Sequence, residues 1–258
     1  MLVNEKLIYE KIKGNELLTY IFELLENDEE VQALLKMANI NAVERLFYND
    51  HGLVHSRIVS GAALEILDRL VKSNVLPSVV TNNIGTIDDA KIIVLISAYL
   101  HDIGNSIHRT NHHLFGAIIS SRIVERILSE IYPESKKRFY IKSEILNSIF
   151  SHDESVNSIT IESGIVKVAD GLDMAEGRAR IPYRLGKADI HAFSALSIKS
   201  VEIESSDYPI TIKVNMENES GIFQIEKVLG EKIRTSSIRQ YIKVIAIKNG
   251  KELRTYVF

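Results

Sequence analysis

A chain of 258 residues, 45% hydrophobic and 25% charged with a formal net charge of −3, has the composition of a globular protein with room for one well-buried core and a smaller second domain. It contains no cysteine, which excludes disulfides, cysteine-ligated zinc, iron–sulfur clusters and a thiol nucleophile. The slightly acidic balance gives no global basic field, so it argues against sequence-independent duplex binding while leaving a small phosphorylated ligand open. Met1-Leu2-Val3-Asn4-Glu5-Lys6 places charges where a signal peptide needs an apolar core. No segment reaches the roughly 18 apolar residues of a membrane span, and the reading is a cytoplasmic protein.

Residues 1–50 carry apolar positions at helical spacing: Leu17, Leu18, Ile21, Leu24 and Leu25, then Val31, Leu34, Leu35 and Ala38, broken at Asn27-Asp28. A pair of packed helices is expected there. The stretch from Asn49 through His55 then opens a long helix to Val71, with Ile58, Ala62, Leu64, Ile66, Leu67 and Leu70 as its buried side. Gly52 places His51 in the entry turn, where the expected role is that of a hydrogen-bonded core residue. Residues 73–88 mix turn formers with short apolar pieces and read as a loop before a helix start at Asp88-Asp89. The apolar run from Ile92 to Leu100 is a buried helix, and at its end stand His101 and Asp102. A histidine beside a carboxylate at the end of a core helix is costly unless both groups are satisfied, which a divalent cation does directly. A helix-terminal ion pair is the plainer alternative.

Further along, Asn111 is the expected N-cap of a helix carrying Ile118, Ile119, Ile123, Val124, Ile127 and Leu128, which puts His112 and His113 in its first turn, facing a cavity. A helix from about Tyr140 to Phe150 delivers His152, Asp153 and Glu154, and the apolar run ending at Ala169 delivers Asp170. Asp173, Arg178 and Arg180 follow. Arginine's planar fork suits phosphate oxygens, and local pairing with Asp173 and Glu176 is the alternative. From Leu196 the texture changes to strands at Ile198 to Glu204, Ile210 to Met216, Tyr241 to Ile247 and Arg254 to Phe258. One helical piece lies near Gly221 to Ile233, with hairpin-type turns at Tyr208-Pro209 and Asn249-Gly250. The expected architecture is mainly α: a helical domain over 1–195, then a small ββαββ-like α+β domain over 196–258. The second domain has no cluster of catalytic residue types and reads as a packing, dimerisation or site-closing element.

The ionisable residues at helix ends are therefore His55, His101, Asp102, His112, His152 and Asp170. Imidazole and carboxylate without thiolate suit six-coordinate Mn, Fe, Co, Ni or Mg, and also Zn. The ordered series, a histidine followed by Arg-Ile-Val, then His-Asp-Ile-Gly, two later histidines and Ala-Asp, resembles the HD-domain superfamily of metal-dependent phosphohydrolases over roughly residues 45–180. Asn49-Asp50-His51-Gly52, Ser106-Ile107-His108-Arg109, the run from Asp170 to Pro182 and Glu219-Ser220-Gly221-Ile222-Phe223-Gln224 look like a poorly characterised prokaryotic branch of it, C-terminal α+β domain included. The resemblance implies an all-helical fold for that region and divalent metal ions, one or two per chain. It implies His55, His101, Asp102 and Asp170 as ligands of a first ion, and His112 and His152 as ligands of a second with Asp102 bridging. His113 ranks below His112. Asn105 stands where many two-metal members have lysine, which speaks against a cyclic-dinucleotide specificity.

The function that follows is hydrolysis of a phosphomonoester or phosphodiester of a nucleotide, with metal-held water or hydroxide as nucleophile. Arg109, Arg178 and Arg180 would hold phosphate oxygens, and Asp153 or Asp173 would serve as general acid or orient a ligand histidine. A homodimer and a small phosphorylated substrate are the expected partners. A non-catalytic metal- and nucleotide-binding regulatory module is the second reading. RNA processing is the third, lowered by the lack of a basic tract.

Overall fold

The computed structural model describes residues 1–175 and 194–258. Three short helices open the chain: α1 (Leu7–Ile12), α2 (Glu16–Asn27) and α3 (Glu29–Asn39). The break between the last two is chemical, because the Asp28 carboxylate accepts the Glu30 and Val31 amides and starts α3 where α2 ends. After α3 the backbone loosens into a π-helical turn over Ile40–Arg45. The long helix α4 (Leu53–Lys72) follows, then α5 (Ser78–Thr81), α6 (Ile87–Leu100), a 3-10 turn over Ile103–Ser106, α7 (His112–Ile131), α8 (Ser135–Ser151) and α9 (Ile161–Leu172).

Helix α6 is the axis of the bundle. From Ile92 to Leu100 every residue is at most 2% exposed, as expected of a helix that is apolar all round, and α4, α8 and α9 pack about it. Thr86 and Asp89 form a reciprocal capping box, so α6 begins one residue earlier than the Asp88-Asp89 start read from sequence. The stretch read as a loop over residues 73–88 contains the single turn α5. Its first amides, of Ser78 and Val79, donate to the buried Glu162 carboxylate of α9, a partner far along the chain. Asn111 does not cap α7 with its side chain; it sits at φ 61° in the left-handed region that asparagine tolerates. No helix among the described residues is long and apolar enough to cross a membrane.

The C-terminal part is one four-stranded sheet in the order β1 (Ile198–Glu204), β2 (Ile210–Met216), β3 (Ile242–Lys248), β4 (Lys251–Val257). The outer pairs are antiparallel, and β2 and β3 are parallel with Ile212 opposite Val244. A parallel pair needs a crossover. Residues 219–241 supply it as a 3-10 turn, a π-helical turn over Gln224–Leu229 and the short helix α10 (Gly230–Arg234), rather than as one regular helix. Ile210, Ile212, Val214, Ile242, Val244 and Ala246 are all buried on the covered face, the period of two that a half-buried sheet requires. Asn249 and Gly250 join β3 to β4 with φ of 51° and 72°, the signature of a two-residue hairpin loop, and β4 begins at Lys251 rather than Arg254. The chain start is tied to the same sheet, since the Val3 amide donates to the Val201 carbonyl at 2.8 Å and the Ile203 amide to that of Met1 at 2.8 Å.

Two glycines permit approaches that any side chain would block. A Cβ on Gly104 would lie 2.0 Å from the His112 carbonyl oxygen, so this residue lets the turn after α6 press on the start of α7. A Cβ on Gly164 would lie 2.3 Å from Ser237 Oγ, so α9 and the segment after α10 meet backbone to side chain.

Candidate metal centre

The bundle brings the ends of five helices to one place. His55 comes from the first turn of α4, His101 and Asp102 from the residues ending α6, His112 from the first position of α7, His152 from the residue after α8, and Asp170 from the last turn of α9. None of the six is more than 8% exposed. A set of ionisable groups so dry needs partners for every polar atom.

The Nδ1 atoms have theirs. Those of His101, His112 and His152 face the carbonyl oxygens of Ala98, Arg109 and Ile149 at 2.7, 3.1 and 2.6 Å. The Nδ1 of His55 faces Asp173 Oδ2 at 2.6 Å. Carbonyls and ionised carboxylates only accept, so in the neutral rings Nδ1 carries the proton and Nε2 presents its electron pair. The Nε2 atoms converge in pairs, His55 with His101 at 3.2 Å and His112 with His152 at 3.0 Å. Burial and the His152 ring push His112 down to about 3, and burial lowers His152, so no proton reconciles that pair at neutral pH. A cation does. Two donors each about 2.1 Å from one ion and at right angles lie roughly 3 Å apart. The donor set thus fits a divalent metal.

Asp102 lies between the pairs and divides its oxygens between them. Oδ2 is 3.5 Å from His55 Nε2 and 3.4 Å from His101 Nε2, whereas Oδ1 is 3.5 Å from His112 Nε2 and 3.6 Å from His152 Nε2. Asp170 Oδ1 joins the first pair, 3.1 Å from His55 and 3.6 Å from His101. Burial alone would raise the Asp102 and Asp170 carboxyls. The imidazoles around Asp102, and Lys232 with the imidazoles beside Asp170, outweigh it and hold both well below the usual carboxylate range. Burial opposes charge on His101 as well, but Asp102 and Asp170 prevail and raise it, so a proton competes with a cation for this ring.

The residues around this centre differ in what they touch. Asp153 accepts from the Ser155 amide and hydroxyl through Oδ1, and its Oδ2 is 3.9 Å from both His112 Nε2 and His113 Nδ1. His113 stands outside the two Nε2 pairs, but with His112 and Asp153 it forms a further group whose ligand atoms lie within 4.8 Å of one another. Arg109 Nη1 is 3.4 Å from His112 Nε2, and its guanidinium lies 5.7 Å from the centre of the Tyr48 ring. Arg178 and Arg180 lie outside the described residues.

Three further residues touch the centre in ways that their positions in the sequence do not assign. His51 is a buried, hydrogen-bonded residue as expected, with Nδ1 2.5 Å from the Asn49 carbonyl, yet its Nε2 also comes within 3.9 Å of Asp102 Oδ2. Asn105, seen in the sequence only as a departure from lysine, donates from Nδ2 to Asp102 Oδ1 at 2.8 Å and fixes that carboxylate. Lys232 enters from α10, in the part expected to hold no chemistry, and places Nζ 2.7 Å from Asp170 Oδ2 and 3.1 Å from the His152 carbonyl. The spacing of His51 four before His55 was a visible signal, whereas nothing local in Gly230-Glu231-Lys232-Ile233-Arg234 marks its lysine.

The HD domain family matches residues 52–175, from the turn before α4 to just past α9. Uncharacterized protein MJ1020 of Methanocaldococcus jannaschii is 48% identical over 227 residues, covering 88% of this chain and 87% of that one. No solved structure matches the chain significantly. The matched segment contains all five helix ends, and the similarity to the archaeal protein spans most of the chain: the chain belongs to the HD-domain family, and its buried histidines and aspartates could hold a divalent metal.

Proposed function

We propose that this protein is a metal-dependent phosphohydrolase that cleaves a phosphomonoester or phosphodiester of a nucleotide, using one divalent ion on each side of Asp102. The observation that carries the reading is the division of the Asp102 carboxylate, with Oδ2 toward His55 and His101 and Oδ1 toward His112 and His152, all at 3.4 to 3.6 Å. Divalent ions held there would supply an acidified water near neutral pH and positive charge against the phosphoryl oxygens.

The chain's own residues do the rest. His55, His101 and Asp170 are assigned to one ion, His112 and His152 to the other, with Asp102 shared. Asp173 grips His55 Nδ1 and so fixes that ring's orientation and its electron pair. Burial would raise the Asp153 carboxyl, but the bonds from Ser155 and the imidazoles of His152 and His112 hold it below the usual range. It therefore stays ionised and is suited to attracting or orienting, not to donating a proton. Arg109 stands beside His112 and is assigned a phosphate oxygen, and the half-exposed Tyr48 ring next to it is assigned to a planar base. Arg178 and Arg180 are assigned the same phosphate role.

The test is metal content by elemental mass spectrometry beside a phosphate-release screen of nucleotides with Mn, Co, Ni and Mg. Two ions per chain with turnover is the expected result. Bound metal without turnover of any nucleotide would move the regulatory-module reading to first place, and neither metal nor turnover would remove the centre.

A further inference from the structure

Lys232 is the one cation from the C-terminal part, among the described residues, that reaches the centre. It is 9% exposed. Its Nζ lies 2.7 Å from Asp170 Oδ2, 3.1 Å from the His152 carbonyl oxygen and 3.7 Å from Glu154 Oε2. Asp170 therefore spends one oxygen on Lys232 and turns the other toward His55 and His101. Lys232 also bridges two helix ends, because Asp170 belongs to α9 and His152 follows α8. Room for its stem is built in: a Cβ on Gly171, the residue after Asp170, would stand 3.2 Å from Lys232 Cδ and 3.1 Å from Leu229 Cδ1. A buried ammonium is costly unless its protons are met, and here they are met by a carboxylate and a carbonyl of two separate helices.

We infer that Lys232 is a positioning residue for the metal centre: it holds Asp170 so that a single oxygen faces the ion, and it makes the centre dependent on the docked C-terminal part. The inference rests on the metal reading above. A second buried lysine provides the control. Lys167, on α9, donates to Val156 O, Thr235 O and Thr235 Oγ1, and these three bonds knit the same two parts together without involving Asp170. Each variant loses bonds between the two parts and so lowers stability while the folded chain stays docked; only the Lys232 variants also lose the hold on Asp170 and with it metal affinity.

The experiment is Co2+ titration of the full chain, read by calorimetry and by the visible spectrum of the bound ion, with folding followed by circular dichroism. Lys232→Met is expected to weaken Co2+ binding by about 10–100-fold, the usual effect of removing a partner of a metal ligand, and to alter the spectrum as Asp170 gains a second free oxygen. Lys167→Met is expected to lower the melting temperature while leaving affinity and spectrum as in the wild type. Lys232→Arg should restore affinity to within a few-fold and Lys232→Gln should not, a pair that decides the matter if the methionine variant does not fold. Wild-type affinity and spectrum in Lys232→Met or Lys232→Gln overturn the assignment alone. A wild-type chain that takes up no Co2+ overturns the centre and the assignment with it.

Discussion

On the Oδ2 side of Asp102, His55 and His101 have no solvent exposure and Asp170 is clamped by Lys232. On the Oδ1 side, His112 and His152 are also buried, but the next groups outward are Asp153 and His113, with side chains 16% and 14% exposed, and the partly exposed Arg109. The first side is braced by ion pairs between helix ends, with its exposure confined to Asp170 at 8%. The second grades into solvent through Asp153, His113 and Arg109, of which the guanidinium can meet an anion. A closed side suits an ion held for the life of the protein, and an open one suits the place where substrate arrives and leaves.

That contrast can be broken outright at the residue both sides share. Asp102→Ala removes an oxygen from each pair, and the expected outcome is loss of all bound metal and of turnover to background; full turnover in this variant would exclude the site. A finer test compares His55→Ala with His152→Ala by elemental mass spectrometry. The closed-side variant should lose less metal, because His101, Asp102 and Asp170 still offer three ligands there, whereas His152→Ala leaves His112 and Asp102 on its side. The open-side variant should retain one ion per chain. Equal losses in the two would mean that the sides do not differ in hold.

Arg109→Ala is the next smaller effect. With the metal ligands untouched, KM should rise by about tenfold, on the order of 1.4 kcal/mol, with metal content unchanged, and a lowered metal content instead would make Arg109 a structural support of His112. The smallest effect on the centre, none, is expected of a change at Asp89, which lies away from it and acts on stability alone. Its carboxylate accepts from Tyr132 Oη at 2.5 Å and from the Thr86 amide at 2.7 Å and pairs with Lys137 at 3.0 Å. Burial would raise this carboxyl, but those partners outweigh it and the folded value lies below the unfolded one. The stabilisation is therefore complete above about pH 4 and is lost as pH falls through the folded value. Asp89→Asn should cost about 1–3 kcal/mol at neutral pH and flatten that acid limb in thermal melts, while leaving metal content and KM as they are.

Much of this was legible in the chain because the signals are local. An apolar period of 3.6 marks α2, α4 and α7, and the unbroken apolar run of α6 that ends in His101-Asp102 announces a helix end carrying charge. The strands around Ile212 and Val244 and the turn at Asn249-Gly250 are written within a few residues of themselves, and the order of His55, His101, Asp102, His112, His152 and Asp170 sufficed to point to the family. The irregular crossover before β3 reads in the sequence as one helical piece, because its Ile222, Ile225, Val228, Leu229 and Ile233 keep a helical pattern while the backbone widens into π-helical geometry. Asn111 was read as a cap because its residue type favours one, whereas the close approach at Gly104 shapes the turn into α7.

The sequence by itself thus determined the elements, the residue types at their ends and hence the class of ion they suit, since each depends on contacts within a turn or two. Only the tertiary structure decided which oxygen of Asp102 faces which pair, that His51 and Asn105 stand beside it, and that Lys232 crosses from the sheet-bearing part to Asp170. Those relations depend on how five helix ends are packed against one another and against α10, and such distances are fixed by burial across the whole core rather than by any neighbouring residue.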